Sequence, residues 1–519
     1  MRLTNTLTGA VDALTPLEPG RLGIYVCGVT PYAESHVGHA MAAIVYDVLV
    51  RYLRWPGNAA GGYDVTFVSN YTDVDDNVIA RAAEVGRDPL ELVDENIDEW
   101  EEQQRALNLV FPDVRPRVTG HIETIVAATE AIVERGFGYA TEAGDVYFRV
   151  RAKPDYGKLS HRDIDQLRSG TRFEPGEGKE FPLDFALWKA TKPGEPSWPS
   201  PWGLGRPGWH IECSAMSQHY LGESFDVHGG GVDLVFPHHE NEIAQAEAAT
   251  GTFAQHWLHN GLVQRDGEKM SKSIGNVVTV HDALERWRPD ALRLFVLSSH
   301  YRSPANLTDE ALAAAESGVD RLLAALRGIP ASPGTLRGIP ASPGTLRGIP
   351  ASPGTLRGIP ASPGTQREAP TAGGESVDPS GERARFVDAL EDDLGTPQAL
   401  AAVFDLARAV NRGRDSGHDV RAAQATLAEL TRDVLGLRLE EPDAVEVLDV
   451  VALSKLASKH GVSCGGSDAE STIEALLAAR TEARADRDFA RADAIRDDLA
   501  GAGVEVADTP EGPRWSAGR

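Results

Sequence analysis

Apolar residues in the first part of the chain fall into short runs that alternate with stretches of helical period, the pattern of an open α/β sheet. Gly23-Ile24-Tyr25-Val26-Cys27-Gly28 is an apolar run closed by glycine and predicts a strand starting at Leu22. A turn over Val29–Ser35 and helical periodicity over Ala40–Arg54 follow. Tyr63–Ser69 predicts a second strand, and residues 78–140 read mostly as helices with charged outer faces. Between 141 and 205 the pattern changes to short strands, turns and prolines, as in Pro193-Gly194-Glu195-Pro196-Ser197-Trp198-Pro199, which predicts an insertion between two halves of one sheet domain. His256–Val263 is expected to form one further strand and Pro289–Tyr301 a helix. An Ala-rich helical bundle begins at Leu312–Leu326 and resumes over residues 384–440. Ser471–Ala500 predicts one long amphipathic helix before a short Val504-Glu505-Val506 strand. The expected division is therefore 1–115 and 206–305 for the halves of the sheet domain, 116–205 for the insertion, 306–450 for the bundle and 451–519 for a small C-terminal domain.

Inside the bundle stand four tandem copies of Leu-Arg-Gly-Ile-Pro-Ala-Ser-Pro-Gly-Thr, residues 326–365. Two Pro and two Gly in each copy exclude a helix, and the apolar content is too low for a core, so a flexible spacer is expected. At 519 residues the chain needs several cores. Acidic residues outnumber basic ones by 77 to 51, for a net charge of −26, and Lys occurs only nine times. An acidic, Lys-poor, Ala- and Gly-rich surface suits concentrated salt, where charge is screened within about 3 Å at 1 M. Net charge then loses its power to exclude RNA as a partner. Three Cys and no basic, apolar leader predict a reduced, cytoplasmic protein, and no run reaches the length needed to span a bilayer.

The stretch from Gly208 to Glu242 holds the densest chemistry. Cys213 lies in Trp209-His210-Ile211-Glu212-Cys213, and Pro237 fits a first helical position ahead of His238 and Glu242, which share a helix face four residues apart. A thiolate, an imidazole and a carboxylate suit zinc, but three ligands leave a tetrahedral site unfilled. Cys27 and Cys464 are the remaining thiols, and Cys27 ends a strand where it would enter a cleft. Each part has a plain alternative, a small core Cys or a helix-capping pair. His36-Val37-Gly38-His39 opens a helix after the first strand, where amides and dipole favour phosphate, and Gly38 lets a nucleotide ring approach the backbone. The Asp73-Val74-Asp75-Asp76 cluster at the end of the second strand suits a ligand crevice, and equally a solvated cap. Lys269 and Lys272, two of the nine lysines, stand three apart in a Gly- and Ser-rich loop that can set ammonium groups against a polyphosphate.

Together the His36-Val37-Gly38-His39 box, the Gly208–Met216 segment around Cys213, the Pro237–Glu242 segment and Lys269-Met270-Ser271-Lys272-Ser273 resemble the cysteinyl-tRNA synthetases, class I aminoacyl-tRNA synthetases. The likeness runs nearly full length, through Asp392-Asp393-Leu394-Gly395-Thr396-Pro397 and Asp488-Phe489-Ala490-Arg491-Ala492-Asp493, while Met41 and Gly395 depart from the family pattern. The resemblance implies a Rossmann-like catalytic domain, one zinc ion on Cys27, Cys213, His238 and Glu242, and Lys272 on ATP with Mg²⁺. It implies that His36, Gly38 and His39 bind ATP, that His36, His39, Lys269 and Lys272 stabilise charge as cysteine is adenylated, and that Thr72, Trp209, His228 and Asp233 surround the cysteine. L-cysteine, ATP and tRNA(Cys) are the implied partners of a monomer whose C-terminal part reads the anticodon. Zinc explains how cysteine is told from serine, since a pocket alone separates near-isosteres poorly while a soft metal prefers sulfur. Two rival readings are a cysteine ligase of mycothiol-type synthesis, opposed by the long C-terminal region, and a non-catalytic RNA-binding relative, opposed by the complete motifs.

Overall fold

The computed structural model describes residues 1–163, 178–270, 275–329, 375–440, 450–462, 469–486, 488–502, 504–509 and 512–517. Most of the tandem repeat, Lys272 with residues 271–274, and Cys464 lie outside the described residues. Met1–Leu439 forms one compact unit and Glu440–Arg519 a second.

The first unit opens with a hairpin of β1 (Arg2–Asn5) and β2 (Ala10–Ala13). The expected alternation follows: β3 (Arg21–Val29), α1 (Val37–Arg54) and β4 (Asp64–Tyr71), then α2 (Asp76–Val85) and α3 (Pro89–Ala106). After α4 (Ile122–Glu134) the insertion builds its own antiparallel sheet from β5 (Gly138–Ala140), β6 (Val146–Phe148), β7 (Phe185–Ala190) and β8 (Gly205–Pro207). The chain then returns through α5 (Trp209–Leu221), β9 (Val227–Gly231), α6 (Glu240–Thr250) and β10 (His256–Asn260). The central sheet has the order β10-β9-β3-β4 with every pair parallel. Because β3 leads to β4 on one side and β9 docks on the other, the order reverses at β3, and a crevice opens beyond the carboxyl ends of the strands.

One expected strand is two. His256–Val263 ends as β10 at Asn260, and β11 (Val263–Arg265) joins a different sheet with β12 (Glu268–Lys269) and β13 (Ala305–Leu307). The Gly261 N–H leaves the ladder for the Tyr301 carbonyl at 2.7 Å, which ends the strand. The helix expected to reach Tyr301 stops at Leu297, and the Ser298 hydroxyl bonds the Phe295 carbonyl at 2.7 Å, a local bond that competes with the helical ladder.

Helix α1 is the spine of this unit, buried on most sides. Halfway along it the buried carboxylate of Asp47 pairs with Arg293 and Arg51. Arg293, wholly buried, also donates to the carbonyls of Leu107 at 3.0 Å and Leu435 at 2.6 Å, tying α1 to the end of α3 and to the bundle. Burial opposes charge on Asp47, yet the two guanidinium groups hold its pKa below the usual carboxylate value. The bundle itself packs helices Asp309–Leu326, Ser380–Glu391, Thr396–Asp415 and Arg421–Ala428.

In the second unit the single long helix expected over 471–500 is two, Ala469–Ala485 and Phe489–Gly501. Asp488 accepts from the Arg491 N–H at 3.1 Å and caps the second helix, a new helix start within the expected span. The short strand is one arm of a hairpin, Val504–Thr509 with Gly512–Ala517.

Candidate active site

Three elements deliver sulfur, nitrogen and oxygen donors to one point beyond β3. Trp209 and Cys213 stand one turn apart on α5, while His238 and Glu242 stand one turn apart at the entry to α6. Phe236 is extended, with φ −140° and ψ 131°, so helical geometry resumes after it, with Pro237 at the start as the sequence suggests. The helix pair is fastened by the Ser214 hydroxyl, which donates to Gln245 Oε1 at 2.7 Å. Two residues of the same segment hold the insertion: Glu240 accepts the N–H groups of Gly157 at 2.9 Å and Ser160 at 2.8 Å, and Asn241 accepts the Tyr156 hydroxyl at 2.5 Å.

The donors meet closely. His238 Nε2 lies 3.0 Å from Glu242 Oε1, and Cys27 Sγ lies 3.4 Å from the same oxygen. Cys213 Sγ lies 3.7 Å from Asn70 Oδ1 and lines the same cavity, outside the tightest group of donors. His239, which sequence reasoning did not assign, brings Nε2 to 3.3 Å from Cys27 Sγ, and it belongs with Cys27, His238 and Glu242 to a group whose donor atoms lie within 4.8 Å of one another. Its other nitrogen is 2.7 Å from His259 Nε2, whose own Nδ1 is 2.7 Å from the Thr6 hydroxyl. A second adjacent His after Pro237 was the only sequence signal for it.

These neighbours split the titrations. The bond from Cys27 lowers the Cys213 thiol to about 6 against the pull of burial, whereas burial and Cys213 push the Cys27 thiol well up. Burial opposes charge on both His238 and Glu242, but Glu242 and Cys213 lift His238 to about 10, while His228 and His238 hold Glu242 well below the carboxylate range. Burial and His238 together keep His210 neutral, with the two Nδ1 atoms 2.9 Å apart. Two thiols and a carboxylate in a buried pocket repel one another once ionised, and a divalent cation removes that repulsion. With an imidazole beside them the set fits zinc.

A cavity of about 420 Å³ runs from Cys213, Trp209 and His238 to His36, Gly38 and His39. Thr72 and Asp233 also line it. His228 does not: its side chain is 0% exposed, stacks on Trp257 and places Nε2 2.8 Å from Glu242 Oε2, behind the carboxylate. The ring of Trp209 lies 4.3 Å from that of His238.

At the other end of the cavity the two histidines form the cap of α1. His36 is the N-cap; its Nδ1 accepts the Gly38 N–H at 3.1 Å, and its own N–H donates to His39 Nδ1 at 3.3 Å. The rings stack with centroids 3.8 Å apart. A Cβ on Gly38 would lie 2.8 Å from His36 Cε1, so this cap requires glycine there. Backbone bonds from Val37 N–H to the Val278 carbonyl at 3.0 Å and from Val280 N–H to the Ser35 carbonyl at 2.8 Å tie the box to the chain just after the lysine loop. Lys269 ends β12, and its partner Lys272 lies outside the described residues.

Comparison with known proteins agrees with this geometry. The tRNA synthetases class I (C) catalytic domain matches residues 13–317, a DALR domain residues 385–440, and the cysteinyl-tRNA ligase anticodon binding domain residues 467–515. The cysteine–tRNA ligases of Alkalilimnicola ehrlichii and Halorhodospira halophila are each 46% identical, with 99% of this chain and 99% of each relative covered. Among solved structures, Mycobacterium tuberculosis methionyl-tRNA synthetase in complex with methionyl-adenylate superposes with a TM-score of 0.53 at 18% identity, over 80% of this chain and 92% of that one, a likeness of fold.

Proposed function

Since the chain belongs to the family of cysteine–tRNA ligases, we propose that it activates L-cysteine with ATP and transfers it to tRNA(Cys) in the cleft beyond β3. The observation that carries this reading is a single cavity joining a sulfur-rich donor cluster to a histidine-capped helix N-terminus. Cys27, Cys213, His238 and Glu242 would hold one zinc ion per chain. Bound zinc would supply a soft Lewis acid that favours a substrate sulfur over a serine oxygen. His239 and His228 support that set from behind, through Cys27 and Glu242.

Thr72, Trp209 and Asp233 face the substrate, and His228 orients Glu242 rather than touching cysteine. The cysteine carboxylate attacks the α-phosphorus of Mg²⁺-bound ATP, and pyrophosphate leaves. His36 and His39, with the amides of the α1 N-terminus and with Lys269 and Lys272, offset the charge gathering on the phosphates. A ribose hydroxyl of the terminal adenosine of the tRNA then attacks the acyl carbonyl, and AMP leaves. We divide the work as 1–115 and 206–305 for adenylation, 116–205 as the connective insertion, 306–450 as the tRNA-binding bundle, in which the repeat is a spacer, and 451–519 for the anticodon, in a cytoplasmic enzyme. The match to an anticodon binding domain speaks against a tRNA-independent cysteine ligase. Cysteine-dependent pyrophosphate exchange, followed by charging of purified tRNA(Cys), tests the reading. Exchange without charging would favour the tRNA-independent ligase, and neither activity would favour a non-catalytic relative.

A further inference from the structure

Asn70 occupies the carboxyl end of β4, is nearly fully buried, and lines the cavity with Cys27, Cys213 and Thr72. The register of β3 against β4 breaks between Val26 and Val29, so Cys27 and Gly28 stand in a bulge. Asn70 fills it. Its Oδ1 accepts the Gly28 N–H at 3.0 Å and the Tyr25 hydroxyl at 3.0 Å, and lies 3.7 Å from Cys213 Sγ. Its Nδ2 donates to Thr72 Oγ1 at 3.2 Å. The orientation is forced, because a backbone N–H can only donate; the amide oxygen must face Gly28, and the NH₂ must therefore face Thr72. The strands are also too close here for any side chain at position 28, where a Cβ would overlap the Asn70 carbonyl oxygen. The Thr72 N–H donates to the Val29 carbonyl at 3.1 Å. One buried amide thus cross-ties the strand end that carries a sulfur to the strand end that carries a hydroxyl.

The valences of Thr72 Oγ1 follow. A hydroxyl oxygen has two lone pairs; Asn70 donates to one, and because Thr72 lines the cavity the other serves as an acceptor for a donor bound there. Resting on the reading that this cleft activates cysteine, we propose that Asn70 is a positioning residue for amino-acid selection. It fixes the span between the sulfur anchor at Cys27 and Cys213 and the Thr72 oxygen that accepts from the substrate ammonium. A span held this way selects an amino acid with two carbons between nitrogen and sulfur, and rejects homocysteine, which has three.

The test is a double-mutant cycle on the full-length, zinc-loaded chain, using Asn70→Ala and Thr72→Val and following pyrophosphate exchange with cysteine and with homocysteine. Each single variant should raise the cysteine KM about tenfold, with the ATP KM within about twofold and bound zinc per chain unchanged. Preference for cysteine over homocysteine should fall about tenfold in both. The double variant should be no worse than the poorer single, because one residue acts through the other. If Asn70→Ala does not fold, the near-isosteric Asn70→Asp, which keeps the oxygen but loses the donor to Thr72, takes its place. Additive losses, or an Asn70 variant with normal cysteine KM and selectivity, would overturn the proposal, as would a Thr72→Val protein with normal cysteine KM. Failure of the unaltered chain to support any cysteine-dependent exchange would instead overturn the underlying reading, and it shows before a variant is made.

Discussion

At the sulfur end of the cleft Cys213, His238 and Glu242 are almost wholly buried, and each donor is held by at least one other side chain. At the phosphate end His36, Gly38 and His39 are half-buried, and what holds them is a helix terminus: two rings stacked over backbone amides. The two constructions suit different tasks. A small side chain must be sorted by distance and softness, which demands donors fixed before the substrate arrives. A polyphosphate brings its own charge, and preorganised dipoles and cations suffice to stabilise the change in it.

If that contrast is right, damage at the sulfur end abolishes recognition and damage at the phosphate end slows chemistry. Cys213→Ser should cut cysteine-dependent exchange by about 10³-fold, roughly 4 kcal/mol, while ATP affinity measured by calorimetry changes little. Stripping the metal with a chelator should do the same, and an equal loss of ATP binding with unfolding would make the cluster a structural site. Lys272→Ala and His36→Ala should lower kcat by about 10²-fold with little change in cysteine KM, the mark of a contact that strengthens in the transition state. Normal exchange by the lysine variant would take its loop out of the mechanism. Gly38→Ala, which forces the His36 ring to move, should cost about tenfold in kcat, again sparing cysteine KM.

Acid sharpens the comparison from behind α1. The folded-state pKa of Asp47 is depressed, so its ion pair with Arg293 stabilises fully above the unfolded carboxylate value, about pH 4, and that stability is lost as pH falls through the lower folded value. The melting temperature of Asp47→Asn should start lower at neutral pH and fall less steeply below about pH 4 than that of the unaltered chain. Smallest of all should be the effect of deleting residues 336–365, three whole repeat units. Changing a loop length by a factor of two costs only about 0.6 kcal/mol, so charging rates across a salt series should stay within about twofold. A tenfold loss of charging with intact exchange would make the repeat part of the tRNA-binding surface.

Periodicity made the strand and helix alternation legible, because burial of one face repeats along the chain at 2 or 3.6 residues. Spacing placed His238 and Glu242 on one turn, and the scarcity of thiols pointed to Cys27 as a candidate, whose sulfur lies among the donors of His238, His239 and Glu242. What periodicity cannot show is a partner far along the chain. Asn70 looked like a strand end, yet its role depends on Gly28 and Tyr25 across the sheet. Glu240 carried no sequence signal of its own, yet it accepts the Gly157 and Ser160 N–H groups of a loop some eighty residues earlier. His239 reaches Cys27 only because β3 ends beside α6. The break at Asp488 and the end of β10 at Asn260 depend on single hydrogen bonds that a helical or apolar window averages away.

The histidine cap of α1 carries a cost in evolvability. Serine, threonine, aspartate and asparagine are the favoured residues at such a position, and imidazole is not among them. A chain selected for thermal endurance alone would drift toward a hydroxyl at position 36 and lose the ring we propose for ATP. In the proposed mechanism the residue that starts the helix is also a reagent, so stability and turnover compete for one side chain.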